Sequence, residues 1–309
     1  MESQRPIAAD AGESIRRHSR SFSLASRLLP ASRRGDVERL YAWCRWCDDG
    51  VDHAASTAEA EAFVAAASHD LRLIAADKDP GKPESHWLAD VSRRHPVSTE
   101  AAAALLAGMR WDLTPASRLG LPALLRYCFR AAGAVGAMMC PILGLRRTEF
   151  LPHAAALGMG MQLTNIARDV GEDWDRGRCY LPVDWTDGLV PTDSRPDTAR
   201  VKSAVGRLLD LAETYYAAGE AGISALPRSS RLAVRAASRV YRAIGDRIRR
   251  IEYRVLDERA YVPTAQKLQL VLASAASVPS PRGPAVTDAS VRGALETADF
   301  YLREHGVRL

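Results

Sequence analysis

Asp48 and Asp52, and again Asp169 and Asp173, stand four residues apart in a chain of 309. On a helix that spacing puts both carboxylates of a pair on one face. In the stretch from Gly158 to Pro182 (GMGMQLTNIARDVGEDWDRGRCYLP), Gln162 and Asn165 precede Asp169 and Asp173 at the same periodicity, making an oxygen-rich row of the kind that hard cations such as Mg²⁺ favour. Tyr41, Arg45, Asp48 and Asp52 form a second such row, with Asp49 at its shoulder. Either row alone is compatible with a solvated acidic face. If the two face each other across a bundle, their carboxylates repel and are costly to bury unpaired. Cations then have to share the space, and Mg²⁺ that binds one or two carboxylates together with substrate phosphates meets that need.

Each acidic row is carried by an apolar one. Leu163, Ile166, Ala167, Val170 and Trp174 give the first helix a face to bury, and Val37, Leu40, Cys44, Cys47 and Val51 do the same for the second. The first helix is expected to break at Arg176–Gly177, into a loop bearing Arg178 and Tyr180. Further helices are expected over Ser56–Ala76, His86–Arg94, Thr99–Asp112, Tyr127–Leu145, Ala199–Ala225 and Arg231–Ile251, with a loop at Trp185–Thr198. Asp112 is expected to have a structural role only. Alternating strand patterns are scarce, so the class is all-α. A composition of 47% hydrophobic and 26% charged residues describes a globular chain.

The formal net charge of +5 suits a diphosphate ligand or an anionic membrane surface, and no basic-aromatic motif points to nucleic acid. Five cysteines with one CxxC and no second pair read as buried thiols in a reducing compartment, not as a zinc site. The first twenty residues lack a signal-like apolar core, and the longest uncharged apolar run, Ala131 to Leu145, is too short to span a bilayer. A cytoplasmic protein is expected, with peripheral contact at the inner membrane face for release of a lipophilic product. Gly158-Met159-Gly160 lacks the third glycine and the preceding strand of a dinucleotide fingerprint, so no nicotinamide is expected. Residues 1–276 are expected to form one domain, and residues 277–309 a linker and short appendage.

The stretches HSRSFSLASRLLP (His18 to Pro30), YAWCRWCDDGVD (Tyr41 to Asp52), YCFRAAGAVGAMM (Tyr127 to Met139), QLTNIARDVGED and GRCYLP together resemble the squalene/phytoene synthase family, from about residue 14 to about residue 275. Their wording is closer to the bacterial phytoene synthase branch. The resemblance implies a single helical bundle of the isoprenoid synthase type with a central cavity. It implies head-to-head condensation of two geranylgeranyl diphosphates to phytoene through a cyclopropyl diphosphate. It further implies about three Mg²⁺ ions, with Mn²⁺ as a substitute, held by Asp48, Asp52, Asn165, Asp169 and Asp173. The substrate contacts it implies are His18, Ser19, Arg20, Ser21 and Phe22, then Tyr41 and Arg45, then Gln162, Arg168 and Arg178. Tyr127 and Tyr241 would stand by the reacting carbons, where an aromatic face stabilises a cation. Two alternatives stay open at this point: a farnesyl diphosphate-using relative (making presqualene diphosphate, hydroxysqualene or dehydrosqualene), and a non-catalytic helical lipid-binding or assembly protein.

Overall fold

The computed structural model describes residues 11–12, 20–113, 120–191, 196–276 and 287–308. His18 and Ser19 lie outside the described residues, as do the side chains of Arg20 and Ser21. The described chain is helical and contains no strand. In order the helices are α1 (Arg20–Ser26), α2 (Ala31–Asp52), α3 (Thr57–Ala75), α4 (Ser85–Arg94), α5 (Thr99–Trp111), α6 (Leu121–Cys128), α7 (Ala134–Leu143) and α8 (Leu151–Asp175). They continue with α9 (Val183–Thr186), α10 (Thr198–Gly222), α11 (Arg228–Arg250), α12 (Thr264–Ala275) and α13 (Asp288–Glu304). A π-helical turn, Phe129–Gly133, joins α6 to α7. The expected fold class is the observed one.

Local chemistry sets the helix ends. Ser56 and Ser98 accept hydrogen bonds from the backbone N–H groups of Glu59 and Ala101, so α3 and α5 start on ordinary N-caps. Thr287 and Ser290 form a reciprocal capping box at the start of α13. α8 stops where expected, and Gly177 takes the left-handed conformation (φ 72°) just beyond it. Gly158-Met159-Gly160 falls inside α8, which starts at Leu151. The expected loop over Trp185–Thr198 begins inside the single turn of α9, which takes in Trp185 and Thr186.

α8 is the central element, packed along α10 and also against α7, α11, α13 and the π-helical turn. Its apolar row is buried at Leu163, Ile166, Ala167 and Val170, while Trp174 is half-buried. α2 packs on α3, α4, α5 and α7. Small residues let the π-helical turn and α7 approach α8 closely: a Cβ on Gly158 would strike the backbone carbonyl of Ala132 in the turn, and one on Gly136 of α7 that of Ala154. Within 277–309, α13 docks on α8, α10 and the π-helical turn. There Tyr301 donates to the Pro122 carbonyl at 3.0 Å, and Arg126 makes a two-pronged bond to Glu304. Among the described residues no helix is long and apolar enough to cross a membrane.

Candidate active site

α2 and α8 both turn their acidic rows into one cavity of about 1340 Å³. From α2 come Tyr41, Cys44, Arg45, Asp48 and Asp52; from α8 come Gln162, Asn165, Arg168, Asp169, Glu172 and Asp173. The α8–α9 connection adds Arg178 and Tyr180, and the segment before α12 adds Arg259 and Tyr261. Phe22, Tyr127 and Tyr241 complete the polar end. Every expected site residue whose side chain is described therefore lines this one cavity. Beyond them the walls become apolar, with Leu105, Met109, Val135, Met139 and Leu157 among the lining groups. The small-residue segment serves two purposes, since Gly136 and Gly158 allow close packing while Ala131, Ala132 and Val135 leave the cavity open.

Arginines thread the carboxylates. Arg45 bonds Asp48 at 2.7 Å and Asp49 at 2.5 Å. Arg178 reaches from the α8–α9 connection to Asp52 on α2 at 3.2 Å. Arg168 grips Asp169 with both prongs, at 2.7 and 2.5 Å, and Arg259 bonds the same carboxylate at 2.9 Å while lying 3.3 Å from Glu172. These pairs leave the site short of positive charge. Burial first, and then the charges of Asp52 and Asp49, push Asp48 up to about 6 despite Arg45. Burial and Asp169 push Asp173 up to about 7.

Asn165 donates weakly to Gln162 (3.4 Å), and its own Oδ1 is buried with no hydrogen-bond partner. An orphan acceptor beside crowded carboxylates is a donor set suited to a hard cation. Among the described residues no three His, Cys, Asp or Glu side chains converge on one point. An ion here would take part of its coordination from a ligand, as Mg²⁺ commonly does from phosphates.

Several groups were missed from the sequence. Asp112, expected to be structural, accepts from Tyr180 at 2.7 Å and from Tyr127 at 3.2 Å, and the two rings stack 4.9 Å apart. Burial pushes its carboxyl up to about 6. Glu172 also reaches the cavity, on the face its spacing from Asn165 and Asp169 gives it, and so do Arg259 and Tyr261, which no periodicity marks. Cys44, expected in the buried stripe, is half-buried and faces the cavity one turn from Asp48. Phe22 packs between Tyr41 and Tyr241, with centroids 5.6 and 5.5 Å away.

Residues 15–266 match the model of the squalene/phytoene synthase family. The chain belongs to that family. Its relatives include a 15-cis-phytoene synthase of Enterobacter agglomerans, 35% identical over 92% of this chain and 98% of the relative. A phytoene synthase of Cereibacter sphaeroides is 38% identical over 88% of this chain and 80% of the relative. Among solved structures, a dehydrosqualene synthase in complex with a ligand superposes with a TM-score of 0.77, at 28% identity over 88% of this chain and 96% of the other. A squalene synthase of Alicyclobacillus acidocaldarius shares the fold, with a TM-score of 0.72 at 24% identity over 80% of this chain and 94% of the other. This squalene/phytoene synthase family member is thus a prenyl-transfer enzyme with the all-α isoprenoid synthase fold. The family is one of divalent-metal-dependent enzymes that act on prenyl diphosphates.

Proposed function

We propose that this enzyme joins two geranylgeranyl diphosphates head to head, through a cyclopropyl diphosphate, to give phytoene. The observation that carries the reading is one cavity whose end is built from two aspartate rows and whose body is apolar. Its volume of about 1340 Å³ exceeds the range usual for a single drug-sized ligand, which suits two long prenyl tails. The substrate length is inferred from relatives named phytoene synthase, at 35% and 38% identity over most of the chain.

Asp48, Asp52, Asn165, Asp169 and Asp173 are the residues that would hold the ions, Mg²⁺ with Mn²⁺ as a substitute. When bound, the metal supplies Lewis-acid stabilisation to the departing diphosphate. Arg45, Arg168 and Arg178 reach the same end of the cavity and add charge-assisted hydrogen bonds to phosphate oxygens. Gln162 and Tyr41 add polar contacts there, and His18, Ser19, Arg20 and Ser21 are proposed to close over the diphosphate. The apolar wall keeps water from the allylic cation left behind. Tyr127, fixed by Asp112 and stacked on Tyr180, and Tyr241, packed on Phe22, offer ring faces to that cation. The second prenyl chain supplies its double bond as the nucleophile.

The test is incubation with Mg²⁺ and either geranylgeranyl or farnesyl diphosphate, followed by extraction and sizing of products. Phytoene from the first substrate supports the proposal. Products from farnesyl diphosphate alone would replace it with the shorter-chain reaction, and no product from either, with folded protein, would refute it.

A further inference from the structure

The cavity-lining row of α8 runs nearly the whole length of the helix, so its apolar end can be measured from its polar one. Counting back from Asn165 by four, three, four and four residues gives Met161, Gly158, Ala154 and Phe150, all of which line the cavity. His153 and Leu157 flank that row on the side facing α10. At a rise of 1.5 Å per residue, Asn165 stands about 18 Å along the axis from His153 and about 22 Å from Phe150.

Two rings close the deep end. Phe150 and His153 stack with their centroids 5.3 Å apart. His153 is held from α10, where its Nδ1–H donates to the Ala218 carbonyl at 2.7 Å. α10 comes this close because it meets α8 through glycines: a Cβ on Gly222 would strike His153, and one on Gly219 would strike Leu157. Arg147 also lies over the Phe150 ring, its guanidinium 4.6 Å from the centroid, and its side chain is largely exposed. The floor therefore stands near the surface, and removing either ring would lengthen the cavity.

Each isoprene unit adds four chain bonds, or ~5 Å when extended, given carbon–carbon bonds near ~1.5 Å. Three units thus span ~15 Å, four ~20 Å and five ~25 Å. A tail whose first carbon lies level with Asn165 meets the two rings with its fourth unit. With three units it ends about one helical turn short, and with five it overruns the floor. We propose that Phe150 and His153 form the stop that limits the prenyl tail of this enzyme to four isoprene units. The stop deepens the geranylgeranyl reading above and rests on it, since the tail is measured from a head held at the aspartates.

The test is pairwise competition among farnesyl, geranylgeranyl and geranylfarnesyl diphosphates with Mg²⁺, the products being extracted and sized. Wild type should use the five-unit substrate at least about tenfold less well than the four-unit one. F150A and H153A should each raise the five-unit over four-unit ratio about tenfold, the lower end of what one methylene is worth in a filled apolar pocket. A154F, which sets a ring one turn above Phe150, should instead raise the three-unit over four-unit ratio about tenfold. The same order of lengths should appear in the melting-temperature rise given by the slowly ionising thiolodiphosphate analogues, a readout that needs no turnover.

Equal use of the five-unit and four-unit substrates by wild type overturns the proposal, and that measurement needs no variant to fold. Unchanged ratios in F150A and H153A, with their helical circular dichroism intact, overturn it as well. Phytoene from wild type with unmoved ratios in the variants would sink the stop and keep the geranylgeranyl reading. No turnover, with a length limit that F150A and H153A move in the melts, would do the reverse.

Discussion

Replacing Asp173 by Asn should raise the thermal stability of the ligand-free protein while removing its activity. Asp173 is half-buried, and burial together with the charge of Asp169 lifts its carboxyl from 3.8 to about 7, against the pull of Arg178 and Arg176. A carboxyl whose folded-state value is raised stabilises the fold only while protonated. Its cost is absent below the unfolded value of 3.8, grows as pH rises, and is complete above about 7. At ~1.4 kcal/mol per pKa unit the full displacement is worth roughly 4 kcal/mol, and halving it for a partly wetted side chain leaves about 2 kcal/mol. A chain of this length has an unfolding entropy near ~0.65 kcal/mol/K, so that gain corresponds to about 3 °C. Melts followed by circular dichroism in chelator-treated buffer should therefore place Asp173→Asn about 3 °C above wild type at pH 8, about 1 °C above at pH 5, and level with it near pH 4. Mg²⁺ with inorganic pyrophosphate should then raise wild type and leave the variant nearly unmoved. A variant that melts at or below wild type at pH 8, or a gap that ignores pH, would show that no surplus negative charge is stored at this position.

Asp48→Asn should likewise abolish product formation with the helical circular dichroism spectrum unchanged, and full activity would remove Asp48 from the ion-binding set. Gly158→Ala should cost ~1–3 kcal/mol in a denaturant melt, because its methyl meets the Ala132 carbonyl where the π-helical turn and α8 touch. Tyr180→Phe removes a 2.7 Å hydrogen bond to Asp112 and should cost about 1 kcal/mol, read in the same melt. Val135→Phe puts a ring into the apolar part of the cavity, and the ratio of turnover on farnesyl over geranylgeranyl diphosphate should rise in a competition assay.

The acidic rows were legible because helical periodicity fixes which residues share a face. Spacing and the apolar rows beside them put Asp48 with Asp52, and Asp169 with Asp173, on one face of each helix; that both faces turn into one cavity was not contained in either row alone. The stop at Gly177 was legible for the same local reason. Contacts across the fold were not. Asp112 ends one helix, Tyr127 lies on another, and Tyr180 follows a third, so nothing in their separations announces that one carboxylate takes both hydroxyls. Arg259 meets Asp169 only because α11 turns back and brings the following segment over the cavity. The π-helical turn at Phe129–Gly133 reads in the sequence as plain helix, because one extra residue in a turn leaves no compositional mark. Docking of α13 depends on Tyr301 finding the Pro122 carbonyl, a partner far away in the chain.

The guanidinium groups threaded through the carboxylates bear on how a first ligand is admitted. With Arg45 lodged on Asp48 and Asp49, Arg178 on Asp52, and Arg168 and Arg259 on Asp169, the enzyme lends its own cations to its own acids. If these aspartates hold metal as proposed, binding a metal with a diphosphate would free Arg45, Arg168 and Arg178 from the carboxylates to meet phosphate oxygens. Magnesium alone would evict arginines with nowhere to go, and diphosphate alone would find them engaged. Each should therefore bind feebly by itself and strengthen the other by an equal factor, a reciprocity that calorimetric titration in both orders of addition would measure.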